Sequence, residues 1–282
     1  MQFSVLGSGS GGNSAVAADA SGALLIDAGL SAKQITARLA CVGIPLSAVR
    51  GILLTHEHGD HTRGLDVLLR GPLAGVPVFA NAHTAEMVRR SLRAPAAWRL
   101  VETGSRFEWA GWRVETFSVP HDAVDPMGFV LEHAPGAGGG PRLGVVSDIG
   151  HATTAVIARL RELDALFVEA NYCPHLLAAD TKRPWATKQR ISSRHGHLSN
   201  DQTAQLVADI FTPRLRRLWL GHLSSDCNRP DVASAVLRRA LTGLAAACPE
   251  ILCATQHEPT PLCPISITAA HSEAPIFSLA AE

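Results

Sequence analysis

The chain has 282 residues, 46% of them apolar and 18% charged, with a formal net charge of zero. That balance supports a sizeable core and excludes a disordered chain. Zero net charge leaves no global field that would advertise a nucleic acid or a membrane as partner. Arg outnumbers Lys by 22 to 3, which fits bidentate recognition of oxyanions; the many Ala and Gly residues point first to genome base composition. The six cysteines (Cys41, Cys173, Cys227, Cys248, Cys253, Cys263) contain no C-x-x-C pair. No signal-peptide pattern opens the chain and no apolar run reaches transmembrane length. The expectation is a cytoplasmic protein with reduced thiols and no membrane partner.

Residues 2–6 alternate into a first strand, which breaks at a Gly-rich loop from Gly7 to Ser14. Such a loop can cradle phosphate through backbone N–H groups, but no G-K-[ST] follows and no helix opens, which argues against a nucleotide P-loop. Strands are expected at 15–18 and 23–27. Ser31 with Gln34 makes a capping box that starts a helix to about 42, stopped by Gly43. The apolar run 51–54 reads as a buried strand. A helix at 62–70, a strand at 76–80 and a helix at 84–92 follow. Strands at 98–101, 106–109, 112–119 and 127–133 come next, with a Gly-rich hairpin tip at 136–140, then a strand at 143–147, a helix at 154–163 and a strand at 165–168.

The stretch 172–197 is less regular and reads as a basic insertion. It carries Lys182, Arg183, Lys188, Arg190 and Arg194, with no acidic residue after Asp180. A second capping box, Ser199 with Gln202, opens a helix whose apolar positions Leu206, Val207, Ile210 and Phe211 keep a 3.6 period. A strand at 215–221, a helix at 230–241 and a strand at 251–255 complete the pattern, and the tail after 264 carries no clear signal. No low-complexity linker or internal repeat divides the chain. Strands alternate with helices in both halves, so two sheets should pack face to face with helices outside, as one domain over 1–282.

Chemistry concentrates in Thr55-His56-Glu57-His58-Gly59-Asp60-His61, just past the 51–54 strand. Neutral imidazoles with a carboxylate to balance charge are what a divalent ion requires. Residues spaced i and i+2 aim to one side of an extended backbone, so His56 and His58 can share an ion. Asp60 and His61 follow the turn at Gly59 and point more naturally to a second one. A polar surface loop that happens to be His-rich is the alternative, and the full H-x-H-x-D-H pattern after a buried strand argues against it. Four further residues sit just past apolar strands, Asp27, His121, Asp148 and His222, where ligand sites of α/β sheets gather.

In this order, these residues resemble the five-motif signature of the metallo-β-lactamase fold, over nearly the whole chain. The resemblance implies an α/β (α+β) four-layer αβ/βα sandwich. It implies one ion on His56, His58 and His121, a second on Asp60, His61 and His222, Asp148 bridging the two, and Asp27 orienting the central loop from behind. Finer features are similar to the YycJ/WalJ-like exodeoxyribonucleases: the opening Val5 to Ser14, Glu169-Ala170-Asn171, Gln189-Arg190-Ile191, Gly196-His197-Leu198-Ser199-Asn200 and Gly221-His222-Leu223-Ser224. That family's implied activity is 5′-to-3′ digestion of DNA with divalent ions. Two departures stand out: Tyr172-Cys173 where the family has His-Asp, and Cys227-Asn228 where it has paired Asn.

On this reading Asp60 holds the attacking hydroxide as well as metal. His197, just before a helix N-terminus that favours anions, is the candidate general acid or phosphate contact; a capping-region His with no catalytic part is the alternative. Asn13, Ser14 and Asn228 are candidate substrate contacts. The basic stretch 182–194 is a candidate track for a nucleic-acid backbone, with Trp185 available to stack a base, or else an ordinary solvated insertion. A donor set of nitrogen and carboxylate without Cys suits Zn or Mn first, with Fe and Ni also compatible. The rival functions are a small-molecule hydrolase of thioesters, lactones or β-lactams, and a ribonuclease.

Overall fold

The computed structural model describes residues 1–133, 139–244 and 248–267. Strands β1 (Gln2–Gly7), β2 (Ser14–Asp19), β3 (Gly22–Ile26), β4 (Val49–Leu53), β5 (Pro77–Ala80) and β6 (Ala97–Leu100) build the first sheet. The second takes β7 (Arg106–Trp109), β8 (Trp112–Ser118), β9 (Met127–His133), β10 (Arg142–Val146), β11 (Ala165–Glu169), β12 (Arg217–Gly221) and β13 (Glu250–Cys253), and β14 (Cys263–Pro264) returns to pair with β1. Both sheets have seven strands, in the orders β14-β1-β2-β3-β4-β5-β6 and β13-β12-β11-β10-β9-β8-β7. Each is antiparallel at one end and parallel at the other, with β3 to β6 and β10 to β13 as the parallel runs.

Parallel neighbours need long crossovers, and the sequence supplies helices there. In the first half these are α1 (Ala32–Cys41), α2 (Gly59–Thr62), α3 (Leu65–Arg70) and α4 (Ala82–Arg89). In the second they are α5 (Thr154–Arg159), α6 (Pro174–Ala179), α7 (Trp185–Ile191), α8 (Asn200–Ile210) and α9 (Pro230–Leu241). The period-2 alternation of strand side chains divides the core into three layers. Leu24, Ile26, Ala165 and Phe167 join Phe3, Trp112, Phe129 and Trp219 between the sheets. Leu25 faces the first helical layer, and Leu166 with Val168 the second. Both faces of these strands are therefore buried, which is why runs such as 51–54 show no polar alternation. The result is the expected αβ/βα sandwich.

Both capping boxes form, at Ser31 with Gln34 and at Ser199 with Gln202, and Gly43 takes φ +78° just past the end of α1. The helix expected over 62–70 is divided. Gly64 approaches the link after β3 so closely that its N–H donates to the Ala28 carbonyl at 2.7 Å, and a Cβ there would stand 2.1 Å from the Leu30 carbonyl oxygen. The helix expected over 154–163 ends at Arg159. The stretch 172–197 is more ordered than expected, with α6 starting on Pro174, whose fixed φ suits a first helical turn. The expectations for 136–138 and for the tail beyond 267 lie outside the described residues. Among the described residues no helix is long and apolar enough to cross a membrane, and all six cysteines are free.

Candidate metal centre

The strands β3, β4, β8, β10, β11 and β12 all deliver polar residues just at or past their C-terminal ends: Asp27, the His56–His61 loop, His121, Asp148, Glu169 and His222. Three of these residues leave their strands with left-handed backbone, Asp27 at φ 57°, Asp148 at φ 52° and His222 at φ 50°. Each such turn costs about 1–3 kcal/mol. It is held by surrounding bonds: Asp27 N–H donates to Leu53 O at 2.8 Å, His222 N–H to Ser8 Oγ at 2.7 Å, and Asn171 Nδ2–H to His222 O at 2.8 Å.

Asp27 organises the central loop from behind. Its carboxylate accepts the Thr55 N–H at 2.8 Å, the Thr55 hydroxyl at 2.9 Å and His61 Nδ1–H at 2.7 Å. With its own hydrogen given to Asp27, Thr55 Oγ1 accepts His56 Nδ1–H at 2.9 Å. His121 Nδ1 faces the Gly196 carbonyl at 3.0 Å and can only donate to it. The rings of His56 and His121 therefore turn a bare Nε2 lone pair toward a common space, as metal-binding imidazoles do. His61 presents Nε2 to the same space, where burial opposes its charge but Asp148 and Asp27 raise it well above the ordinary imidazole value.

One carboxylate lies at the centre of that space. Asp148 Oδ2 is 3.1 Å from His61 Nε2, 3.5 Å from His56 Nε2 and 3.7 Å from His121 Nε2, while Oδ1 touches His222 Nδ1. Burial works against its charge, yet His222 and His61 hold the Asp148 carboxyl well below the usual carboxylate range. Burial likewise opposes a charged His222, and Asp148 and Glu169 override it and push His222 up to about 10. His56 goes the other way: burial, reinforced by His61, keeps it far below the ordinary imidazole value. Its Nε2 is buried with no hydrogen-bond partner. An orphaned, neutral imidazole nitrogen aimed at a carboxylate is a poor structural element and a good metal ligand.

Donor atoms of His56, His58, His121 and Asp148 lie within 4.8 Å of one another, and so do those of Asp60, His61 and Asp148. The structure thus brings together the first expected ligand set whole and most of the second. His222, the remaining member, stands 3.9 Å from Asp60 through Nε2, with Nδ1 against Asp148 and 3.4 Å from Glu169. A further set joins Asp148, Glu169, His197 and His222.

Glu169 is the residue that sequence reasoning left without a role. It is fully buried, accepts the N–H groups of Ile149 and Leu198 at 2.9 Å each, and accepts His197 Nδ1–H at 3.0 Å. Burial would raise its carboxyl, but His197 and His222 hold it below the usual range. The available signal was an acid closing an apolar strand. His197 is partly exposed, its ring 5.3 Å from that of His121 and 4.9 Å from that of His222. Among the described residues no hydrogen bond engages its Nε2.

The side chains expected as substrate contacts turn inward. Asn13 Oδ1 accepts from Ser8 Oγ at 3.1 Å and Gly9 N at 2.8 Å, and its Nδ2 reaches Asp60 Oδ2 at 3.2 Å, so it positions the loop. Ser14 Oγ donates to Asp27 O at 2.8 Å, and Asn228 is spent on Ala170 O and Asn200. In the Gly-rich loop, Gly9, Gly11 and Gly12 direct their N–H groups to Asn13, Gln256 and Gly9, which removes most of a phosphate cradle. Nor is the basic stretch a free cationic track. Lys182 and Arg183 pair with Asp226, and Arg190 pairs with Asp122.

Residues 23–222 match the family profile of the β-lactamase superfamily domain. The chain belongs to the metallo-β-lactamase-fold hydrolases. It is 32% identical over 235 residues to exodeoxyribonuclease YycJ of Bacillus anthracis, covering 83% of this chain and 86% of that one. It is 31% identical over 236 residues to exodeoxyribonuclease WalJ of Streptococcus pneumoniae serotype 2, covering 82% and 85%. Membership therefore extends to the YycJ/WalJ branch. Solved structures share the fold: unliganded yeast PDE1 has a TM-score of 0.68 at 12% identity, over 93% of this chain and 99% of that one. The metallo-β-lactamase fold protein YhfI of Bacillus subtilis has a TM-score of 0.67 at 12% identity, over 92% and 99%.

Proposed function

We propose that this protein is a 5′-to-3′ exodeoxyribonuclease, built as one hydrolase domain with 172–197 as an insertion, that cleaves DNA phosphodiesters with two divalent ions. The observation that carries the reading is the buried Asp148 carboxylate at the meeting point of two donor sets, with the Glu169–His197 pair beside it. The names of the YycJ and WalJ relatives support DNA as substrate. His56, His58 and His121 would hold one ion, Asp60, His61 and His222 the other, with Asp148 shared and Asp27 aligning the loop. Bound ions of Zn or Mn, or of Fe or Ni, supply a nucleophile at neutral pH and offset phosphoryl charge.

The protein's own groups account for the rest. Asp60, fixed by Asn13, is partly exposed and orients the attacking water. His197 keeps Nδ1–H on Glu169, and in its imidazolium form the second proton, on Nε2, is the one it can give to the leaving 3′-oxygen. Glu169 acts through His197 as its positioning residue. The test is protein stripped of metal and reloaded with each ion in turn, incubated with 5′- and 3′-end-labelled single-stranded DNA and, separately, with a thioester. Early release of the 5′ label as mononucleotide is expected, and Asp148→Ala should abolish it. Thioester turnover without DNA digestion under any ion would overturn the proposal in favour of a small-molecule hydrolase; digestion of RNA alone would make it a ribonuclease.

A further inference from the structure

Residues 172–197 leave and rejoin the sandwich through one seam. Tyr172 and Ser199 form a parallel bridge, with Asn171 N–H on Leu198 O at 3.0 Å and Asn200 N–H on Tyr172 O at 2.9 Å. The excursion is then tied down on two sides of the His/Asp cluster. On one side, Arg190 Nε donates to Asp122 Oδ2 at 2.6 Å, and Asp122 Oδ1 lies 3.2 Å from His121 Nε2. On the other, Lys182 Nζ and Arg183 Nη2 grip Asp226 at 2.8 and 3.0 Å, in the loop that follows His222. Arg183 also donates to Asp180 at 2.9 Å. Gly196 completes the seat: its carbonyl accepts from His121, and a Cβ there would meet the Arg190 carbonyl oxygen at 2.2 Å.

The cations thus work as anchors, and the strap they fasten presents an aromatic ring. Trp185, the first residue of α7, is 74% exposed, more than any other large apolar side chain among the described residues. A helix rises about 1.5 Å and turns about 100° per residue, so Trp185 lies roughly 7.5 Å along α7 from Arg190 and about 140° around it, on a different face from the anchoring side chain. Arg190 itself is fastened beside His121. Every nucleic-acid base has a π-face, and stacking on an indole tolerates any sequence.

Resting on the nuclease reading, we infer that Trp185 is a stacking platform that grips an unpaired base of the substrate strand at the mouth of the site. The strap thereby selects single-stranded nucleic acid over small phosphodiesters. The test compares wild type, Trp185→Ala and Trp185→Phe on a labelled single-stranded oligonucleotide and on bis(p-nitrophenyl) phosphate, each at low and high salt. KM for the oligonucleotide should rise about 5- to 150-fold in Trp185→Ala, the range for one stacked base at 1.4 kcal/mol per tenfold. Phe should restore most of it, and turnover of the small ester should not change. The wild-type-to-Ala ratio should persist at high salt, because stacking is not screened as ion pairing is. An unchanged oligonucleotide KM in Trp185→Ala, a ratio that vanishes with salt, or an equal loss on both substrates would refute the inference alone. Wild-type protein that leaves the oligonucleotide uncut refutes the nuclease reading and the inference with it.

Discussion

Substituting His197 separates proton donation from every other contribution of the site. In DNA the leaving group is an alkoxide, which needs a proton as the bond breaks; in a p-nitrophenyl ester it is a phenolate, which does not. Removing a positioned acid costs about 10²- to 10⁴-fold in rate where a proton is required. His197→Ala should therefore lose that much in kcat on DNA and under about tenfold on bis(p-nitrophenyl) phosphate. Glu169→Gln gives the graded version. It keeps an acceptor for the N–H groups of Ile149 and Leu198, yet replaces the charged oxygen 3.0 Å from His197 Nδ1 by a neutral amide. A hydrogen bond to a charged group contributes about 1.5–3 kcal/mol, so a loss of roughly 10- to 150-fold on DNA follows at 1.36 kcal/mol per decade. Metal content, measured in parallel, should stay at the wild-type level in His197→Ala. Equal losses on the two esters would refute the reasoning and make the Glu169–His197 pair a purely structural contact.

Asp27→Ala removes the acceptor for Thr55 and His61 without touching the central space. Metal affinity should fall about 10- to 100-fold, read by competition with a chromophoric chelator, and unaltered affinity would show that the loop holds its shape without Asp27. Trp219→Ala, which empties the fully buried layer between the sheets, should cost about 3–5 kcal/mol in denaturant unfolding; a loss below 1 kcal/mol would mean that layer can collapse. The hydrogen bond from Arg183 lowers the Asp180 carboxyl from 3.8 to about 2. A depressed acid contributes its anchoring above the ordinary carboxyl range and loses it as pH falls toward 2. A carboxyl NMR titration of Asp180 with its midpoint near 3.8 would remove that anchor from the strap.

Local chemistry made much of this molecule legible in the sequence. Ser31 and Ser199 announce their helices because a capping box is a contact over three residues, and α9 begins at Pro230 because proline suits a first turn. The His56–His61 loop, Asp27, His121, Asp148 and His222 could be placed on one edge because each follows an apolar strand, whereas which of them share an ion came from the family resemblance. What failed depended on distant partners. The cations of 182–194 looked free because their acids, Asp122 and Asp226, belong to other loops. Glu169 drew no role because its histidine lies 28 residues on, past the whole of 172–196. Asn13, Ser14 and Asn228 looked like substrate contacts because polarity can be read from sequence and burial of a loop cannot. The break at Gly64 came from a backbone passing close by, which leaves no mark in helical periodicity.

The left-handed turns at Asp27, Asp148 and His222 carry a cost for the molecule's history. Aspartate and histidine enter that backbone region less readily than glycine or asparagine, so the working residues there hold the fold slightly below the stability it could have. Selection for robustness alone would pull such positions toward Gly or Asn and yield a sturdier, inert protein. Only continued demand for the reaction keeps the chain bent this way, and a descendant freed from that demand should relax at these three turns before its core changes.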